Sequence, residues 1–212
     1  MDTKQRVSRT PPFSSGELGK VFDMAVGVSL SVMLGGRPIV VPNANSLTPL
    51  QPDCVEVGPV RIIGGVRPQN FDVGYRPDGV RFAFDGKTLN DSASFGKNWQ
   101  NMINDLATEV TTVHSRFPHA VVAFLVALPT PCVVEPQTSA IIETLERLAR
   151  RTSVASPNYM AEAIALLLWN PADGSIEAGT PHPDSPLRVE KFSAAVEAAY
   201  VSRYKGLPPH AS

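Results

Sequence analysis

Cysteine is nearly absent from this chain. There are two, Cys54 and Cys132, far apart and with no CxxC pair. That spacing excludes the usual thiolate zinc cluster and a disulfide framework, and it fits a reduced, cytoplasmic setting. Charge is sparse as well. Charged residues make up 18% of the chain and the net charge is −1. No overall positive field announces a nucleic-acid partner, although a local basic cleft can sit on a neutral protein. The four histidines show neither H-x-H nor H-E-x-x-H spacing. A G-x-S-x-G elbow, a P-loop and a G-x-G-x-x-G fingerprint are all missing. The longest apolar stretch, around 21–34, is interrupted by Asp23 and small residues, too short and mixed to span a bilayer. The polar start from Met1 to Arg6 runs into Pro11-Pro12 and lacks the apolar core of a signal peptide.

What remains is an ordinary globular balance, 43% hydrophobic, with the prolines gathered in connecting stretches. The expected organisation is a flexible lead-in at 1–13 and a single domain at 14–212. Its core covers 14–128, and a C-terminal helical and mixed extension covers 129–212. Ser14 and Ser15 can cap a helix that carries Glu17 in its first turn and stops at Gly35-Gly36. An irregular loop is expected at 37–54, then a strand from Cys54 to Ile63. Alternation predicts a β-hairpin, Asn70 to Tyr75 and Val80 to Leu89, joined by the four-residue turn Arg76-Pro77-Asp78-Gly79. Pairing Tyr75 with Val80 sets Val73 against Phe82 and Phe71 against Phe84. One face of the ribbon is then apolar. The other carries Asp72, Gly74, Arg81, Ala83, Asp85 and Lys87.

A helix follows over about 94–116, with Trp99, Ile103, Leu106, Val110 and Val113 at helical spacing. Ala120 to Leu128 is a continuous apolar run, suited to a strand buried on both faces. Helices are expected at 138–151 and 187–204. The segment 161–169 is read as helix changing to strand. Arg147, Arg150 and Arg151 are expected to complement a helix C-terminus.

Asp72, Asp85 and Lys87 on one face carry the chemistry. Neighbouring carboxylates repel and resist desolvation. A hard divalent cation removes that penalty, because Mg²⁺ takes one or two carboxylates and keeps several waters. Asp85 and Lys87, two apart on a strand, point the same way. The lysine can then position or deprotonate a water that attacks phosphorus.

These residues resemble the PD-(D/E)XK superfamily of nucleases, which places one acidic residue on a hairpin strand and (D/E)-x-K on the next. Asp85-Gly86-Lys87 matches the second half, and twelve residues separate Asp72 from Asp85. The order helix, three strands, helix, strand also matches, over roughly 14–128. The resemblance implies a restriction-endonuclease-like α/β core, a mixed sheet flanked by helices, and a Mg²⁺-dependent DNA endonuclease of type II restriction-enzyme kind, with Mn²⁺ as a substitute metal. It implies metal at Asp72, Asp85 and the Gly86 carbonyl, assistance from Glu17, and Lys87 acting on the nucleophilic water. DNA contacts would come from Lys97, Gln100, Asn101 and Asn104 on the following helix. It also implies a homodimer, to cut both strands, and a cognate methyltransferase encoded nearby.

The literal Pro-Asp pair is Pro77-Asp78, so Asp78 stays open as an alternative first ligand, with Asp72 favoured on hairpin geometry. Two rivals compete with a nuclease. One is a non-catalytic nucleic-acid-binding or assembly module on the same fold. The other is a small-molecule enzyme.

Overall fold

The computed structural model describes residues 17–43, 45–89 and 95–207, with the side chain of Lys97 left out. The expected lead-in at 1–13 and the Ser14-Ser15 cap lie outside the described residues. In chain order the elements are α1 (Glu17–Met33), β1 (Ile39–Val40), β2 (Val55–Ile63), β3 (Pro68–Tyr75), β4 (Phe82–Thr88), α2 (Phe95–His114), β5 (Val121–Pro129), α3 (Gln137–Leu148), β6 (Ala163–Trp169) and α4 (Val189–Tyr204). The strands form one six-stranded mixed sheet in the order β1-β2-β3-β4-β5-β6. β2, β3 and β4 pair antiparallel, while β4, β5 and β6 run parallel. Among the described residues, no helix is long and apolar enough to cross a membrane. Both cysteines are buried, and neither is in a disulfide.

Two apolar layers hold the helices to the sheet. On one face, Leu106, Val110 and Val113 of α2 and Ile141 and Leu145 of α3 pack on Val122, Phe124, Val126, Ile164 and Leu166. On the other, Leu30 of α1 and Phe192, Val196 and Tyr200 of α4 pack on Val73, Phe84, Val121, Ala123 and Leu125. β5 and β6 are therefore buried along their whole length, which is why they read as unbroken apolar runs rather than alternating ones.

α1 lies close against β2 because Gly27 has no side chain. A Cβ at this position would collide with the Val57 side chain. Gly27→Ala is expected to lower stability by about 1–3 kcal/mol, the usual scale of overpacking, measured as a drop in the urea midpoint. The helix ends at Gly35 and Gly36, both at positive φ (81° and 83°), where the Gly36 N–H returns to the Ser31 carbonyl at 2.8 Å.

The structure corrects three expectations. The loop at 37–54 contains β1, which pairs parallel with β2. The segment around 161–169 has no helix: Ala163–Trp169 is strand throughout, because a seven-residue apolar run beside β5 is covered on both faces. The hairpin is shifted by two residues, with Tyr75 opposite Phe82 and Val73 opposite Phe84. Val80 leaves the ribbon for the core beneath α2. Arg81 turns to Asp78 and lies over the Tyr204 ring, 4.8 Å from its centroid. The connection thus takes residues 76–81 rather than four, and the Arg81 N–H closes it on the Tyr75 carbonyl at 2.9 Å. The apolar face is also divided. A register slip in β2 between Val57 and Val60 turns the far end of the hairpin, so Phe71 packs with Val60 and Ile62 under α2 while Val73 stays on the α1 side.

Candidate functional site

β3 and β4 hydrogen-bond only from Val73–Phe84 to Tyr75–Phe82 and then part. Carried one step further, that register sets Asp72 across from Asp85. At this fork the Asp72 carboxylate takes the place of a ladder partner, accepting the Gly86 N–H at Oδ2, 2.9 Å away. The corrected register therefore brings the two acids closer than the expected one, which would have set Asp72 opposite Ala83.

Lys87 projects from β4 on the same side as Asp85. Its ammonium donates to Asp85 Oδ2 and, at 2.8 Å, to Glu109 Oε1 from α2. The side chains of Lys87 and Glu109 are 21% and 12% exposed, so this ion pair is largely desolvated. Glu109 was not among the sequence candidates. In the sequence it is one more polar residue off the apolar stripe of α2, without a spacing that marks it.

Asp23 is the second residue the sequence did not single out. It projects from α1 into a cleft of about 390 Å³ that Lys20, Asp72, Gly86, Lys87 and Thr88 also line. A Cβ on Gly86 would lie 3.6 Å from Asp72 Oδ2 and 3.8 Å from Asp23 Oδ1, so the bare backbone of Gly86 leaves a small space between two acidic oxygens. Asp23 Oδ1 and Glu109 Oε2 are buried and have no hydrogen-bond partner among the described residues.

The acids respond electrostatically to one another. Burial pushes Asp23 up to about 7, with the Asp72 charge adding to it. Asp72 is likewise pushed up to about 7, first by burial and then by a hydrogen bond to Asp85 and its charge. Asp85 is raised by burial, against the opposing pull of Asp72 and Lys87. The hydrogen bond between the two acids raises Asp72 and works the other way on Asp85, whose carboxylate also faces the Lys87 ammonium. Burial disfavours the Lys87 charge, but Asp85 and Glu109 outweigh it, and the ammonium is held protonated.

The other sequence candidates fall elsewhere. Glu17 is exposed at the start of α1 and does not line the cleft, whereas Asp23 on the same helix does. Asp78 sits in the connection with both oxygens on Arg81, which holds its carboxyl below the usual range. It is therefore a turn anchor, and Asp72 is the acid beside Asp85. Gln100, Asn101 and Asn104 are exposed on α2, while the Lys97 side chain lies outside the described residues. No group of three or more His, Cys, Asp or Glu able to enclose a metal ion occurs among the described residues. A larger groove of about 590 Å³ between α1 and α4 is lined by Phe22, Val26, Met33, Phe192 and Val196 and lies on apolar side chains rather than on the carboxylates.

Compared with known proteins, the chain matches no family model, no curated protein and no solved structure.

Proposed function

We propose that this chain is a divalent-cation-dependent DNA endonuclease with a PD-(D/E)XK, restriction-endonuclease-like core. The observation that carries the proposal is the meeting of Asp72 with Asp85-Gly86-Lys87 where β3 and β4 part. The order α1, β2, β3, β4, α2, β5 supports it, with an antiparallel triplet continued by a parallel strand.

The donor set suits a hard cation. The side-chain oxygens are carboxylate, and Asp23 Oδ1, buried and without a hydrogen-bond partner among the described residues, lies beside Gly86 and Asp72. An enclosing cage of protein ligands is not required, because Mg²⁺ is commonly held by one or two carboxylates, water and substrate phosphate. Asp72 and Asp85 would hold Mg²⁺, or Mn²⁺ in its place, with the Gly86 carbonyl added by resemblance. Such an ion supplies charge neutralisation at phosphorus and a more acidic water.

The chain's own groups do the rest. Lys87 is held protonated, so it acts as a donor that orients the attacking water or a phosphate oxygen rather than as a base. Two of its N–H groups are engaged by Asp85 and Glu109. A lysine ammonium has three, which leaves one for the cleft. Gln100, Asn101 and Asn104, with Lys97, offer polar contacts to the DNA backbone. Cutting both strands calls for two copies of the site. The exposed stripe Val21, Met24, Val28 and Val32 on α1 supports self-association.

Supercoiled plasmid incubated with Mg²⁺ or Mn²⁺ is expected to give nicked and linear forms, and discrete fragments if recognition is sequence-specific. Asp85→Ala and Lys87→Ala should each slow cutting by at least about 100-fold, the scale of losing a few kcal/mol of transition-state stabilisation. Circular dichroism should show both variants folded. Intact plasmid, duplex and branched substrates with either metal would sink the nuclease proposal. DNA retention without cutting would favour a binding module on the same scaffold.

A further inference from the structure

We infer that Glu109 is the positioning residue of this site: it holds the Lys87 ammonium in place independently of Asp85. The inference rests on the nuclease proposal for its consequence, but its geometry stands alone. Lysine carries its charge on a flexible four-carbon stem, and fixing it sacrifices rotamer freedom. Asp85 lies on the same strand, two residues earlier, so by itself it tethers the ammonium from one direction only. Glu109 reaches it from a different layer, 2.8 Å away. The backbone that carries Glu109 is held in place, because its neighbours Leu106, Val110 and Val113 anchor α2 in the core.

The consequence concerns Asp85. Its carboxylate is wanted by two neighbours, Lys87 beside it and Asp72 across the fork. If Lys87 had Asp85 as its sole partner, any turn of that carboxylate away from it would leave a largely buried ammonium uncompensated, which is costly. Glu109 removes that conflict. Lys87 keeps a charge partner and its position while Asp85 engages something else.

Three variants of the full chain, Glu109→Gln, Glu109→Asp and Glu109→Ala, test this, with Asp105→Asn as the control. Asp105 is an exposed acid one turn earlier on α2, and its loss changes the helix charge without touching Lys87. Single-turnover plasmid cleavage in saturating Mg²⁺ is expected to slow by about 10–100-fold in Glu109→Gln, the usual effect of losing an orienting partner. DNA affinity should be unchanged, Glu109→Asp should recover part of the rate, and Asp105→Asn should cut as the parent does. Amine-specific acetylation followed by mass spectrometry gives a readout that needs no nuclease activity. Lys87 should be labelled severalfold faster in Glu109→Gln than in the parent or in Asp105→Asn. Where Glu109→Ala fails to fold, the two isosteric or near-isosteric variants still decide. Parental cleavage by Glu109→Gln, or parental labelling of Lys87 in it, overturns the inference. A parent chain that cuts no DNA removes the nuclease proposal instead, and the labelling result then judges the Glu109–Lys87 coupling by itself.

Discussion

Asp72→Asn is expected to slow DNA cutting severely and, at the same time, to make the fold more stable above neutral pH. The two effects share a cause. In the unfolded chain this carboxyl titrates near 3.8, and in the fold it is pushed up to about 7 by burial and by Asp85. Between those values the folded protein keeps a proton that the unfolded chain has released. Stability is then fully present below the unfolded value, falls as pH rises through the window, and reaches its floor above about 7. Asparagine copies the protonated form. It can still accept the Gly86 N–H, but it carries no charge toward Asp85. The variant should gain on the order of 1–2 kcal/mol at pH 8, after allowing for solvent screening in the open cleft. Urea midpoints at pH 5 and pH 8 measure this: the parent should fall between them and Asp72→Asn should fall less. A residual slope is expected from Asp23, which titrates in the same range. Cutting should drop by about 10²–10³-fold, since a neutral amide cannot replace a carboxylate at a cation site. Mg²⁺ should raise the melting temperature of the parent at pH 8 but not that of the variant. A variant less stable than the parent at pH 8 would mean that the fold welcomes the Asp72 charge, and that burial and Asp85 do not oppose it.

The hairpin and its acids were legible in the sequence because alternation is a strong signal, and it located Asp72, Asp85 and Lys87 on neighbouring strands. The register was less so. Whether Val80 and Arg81 belong to the strand depends on Val80 finding the α2-side core and Arg81 finding Asp78 and the Tyr204 ring, both tertiary matters. The acid on α1 that lines the cleft went unnoticed for a similar reason. Glu17 has the features of a helix start, but Asp23 is the residue turned toward the sheet, because Gly27 lets that part of the helix settle on Val57. Glu109 carried no local mark at all, since it meets Lys87 through an ion pair across 22 positions of sequence. The strand Ala163–Trp169 was ambiguous because a short apolar run fits a buried helix as well as a buried strand, and only pairing with β5 decides between them.

That last strand brings with it a large expected stability effect. Glu162, just before β6, is fully buried and serves four groups at once. Its Oε1 lies 2.9 Å from Arg151 Nε and 2.8 Å from an Arg203 guanidinium nitrogen. Its Oε2 accepts the Val122 N–H at 2.7 Å and lies 3.4 Å from His114 Nε2. Arg151, which the sequence suggested as a helix-end charge, is in fact buried here, and its guanidinium also donates to backbone carbonyls of Pro118, Val154, Ser156 and Pro157. Glu162→Ala strands two guanidinium groups and a strand N–H away from water. The expected loss is about 3–5 kcal/mol, the scale for breaking a buried ion pair from one side, measured by urea or thermal unfolding. Glu162→Gln should lose less, because its amide oxygen can still accept from Val122. Arg203→Met should lose less as well, since it leaves the Arg151 pair intact. The network gathers at the start of β5, beside Val122, while the carboxylate cleft lies further along β4 at Gly86, which pairs with Leu125. Glu162→Ala should therefore keep the rate of cutting at low temperature while unfolding early. Asp72→Asn should do the reverse. If Glu162→Ala unfolds no earlier than the parent, the buried charges are better solvated than their burial implies, and the C-terminal elements are held by apolar packing alone.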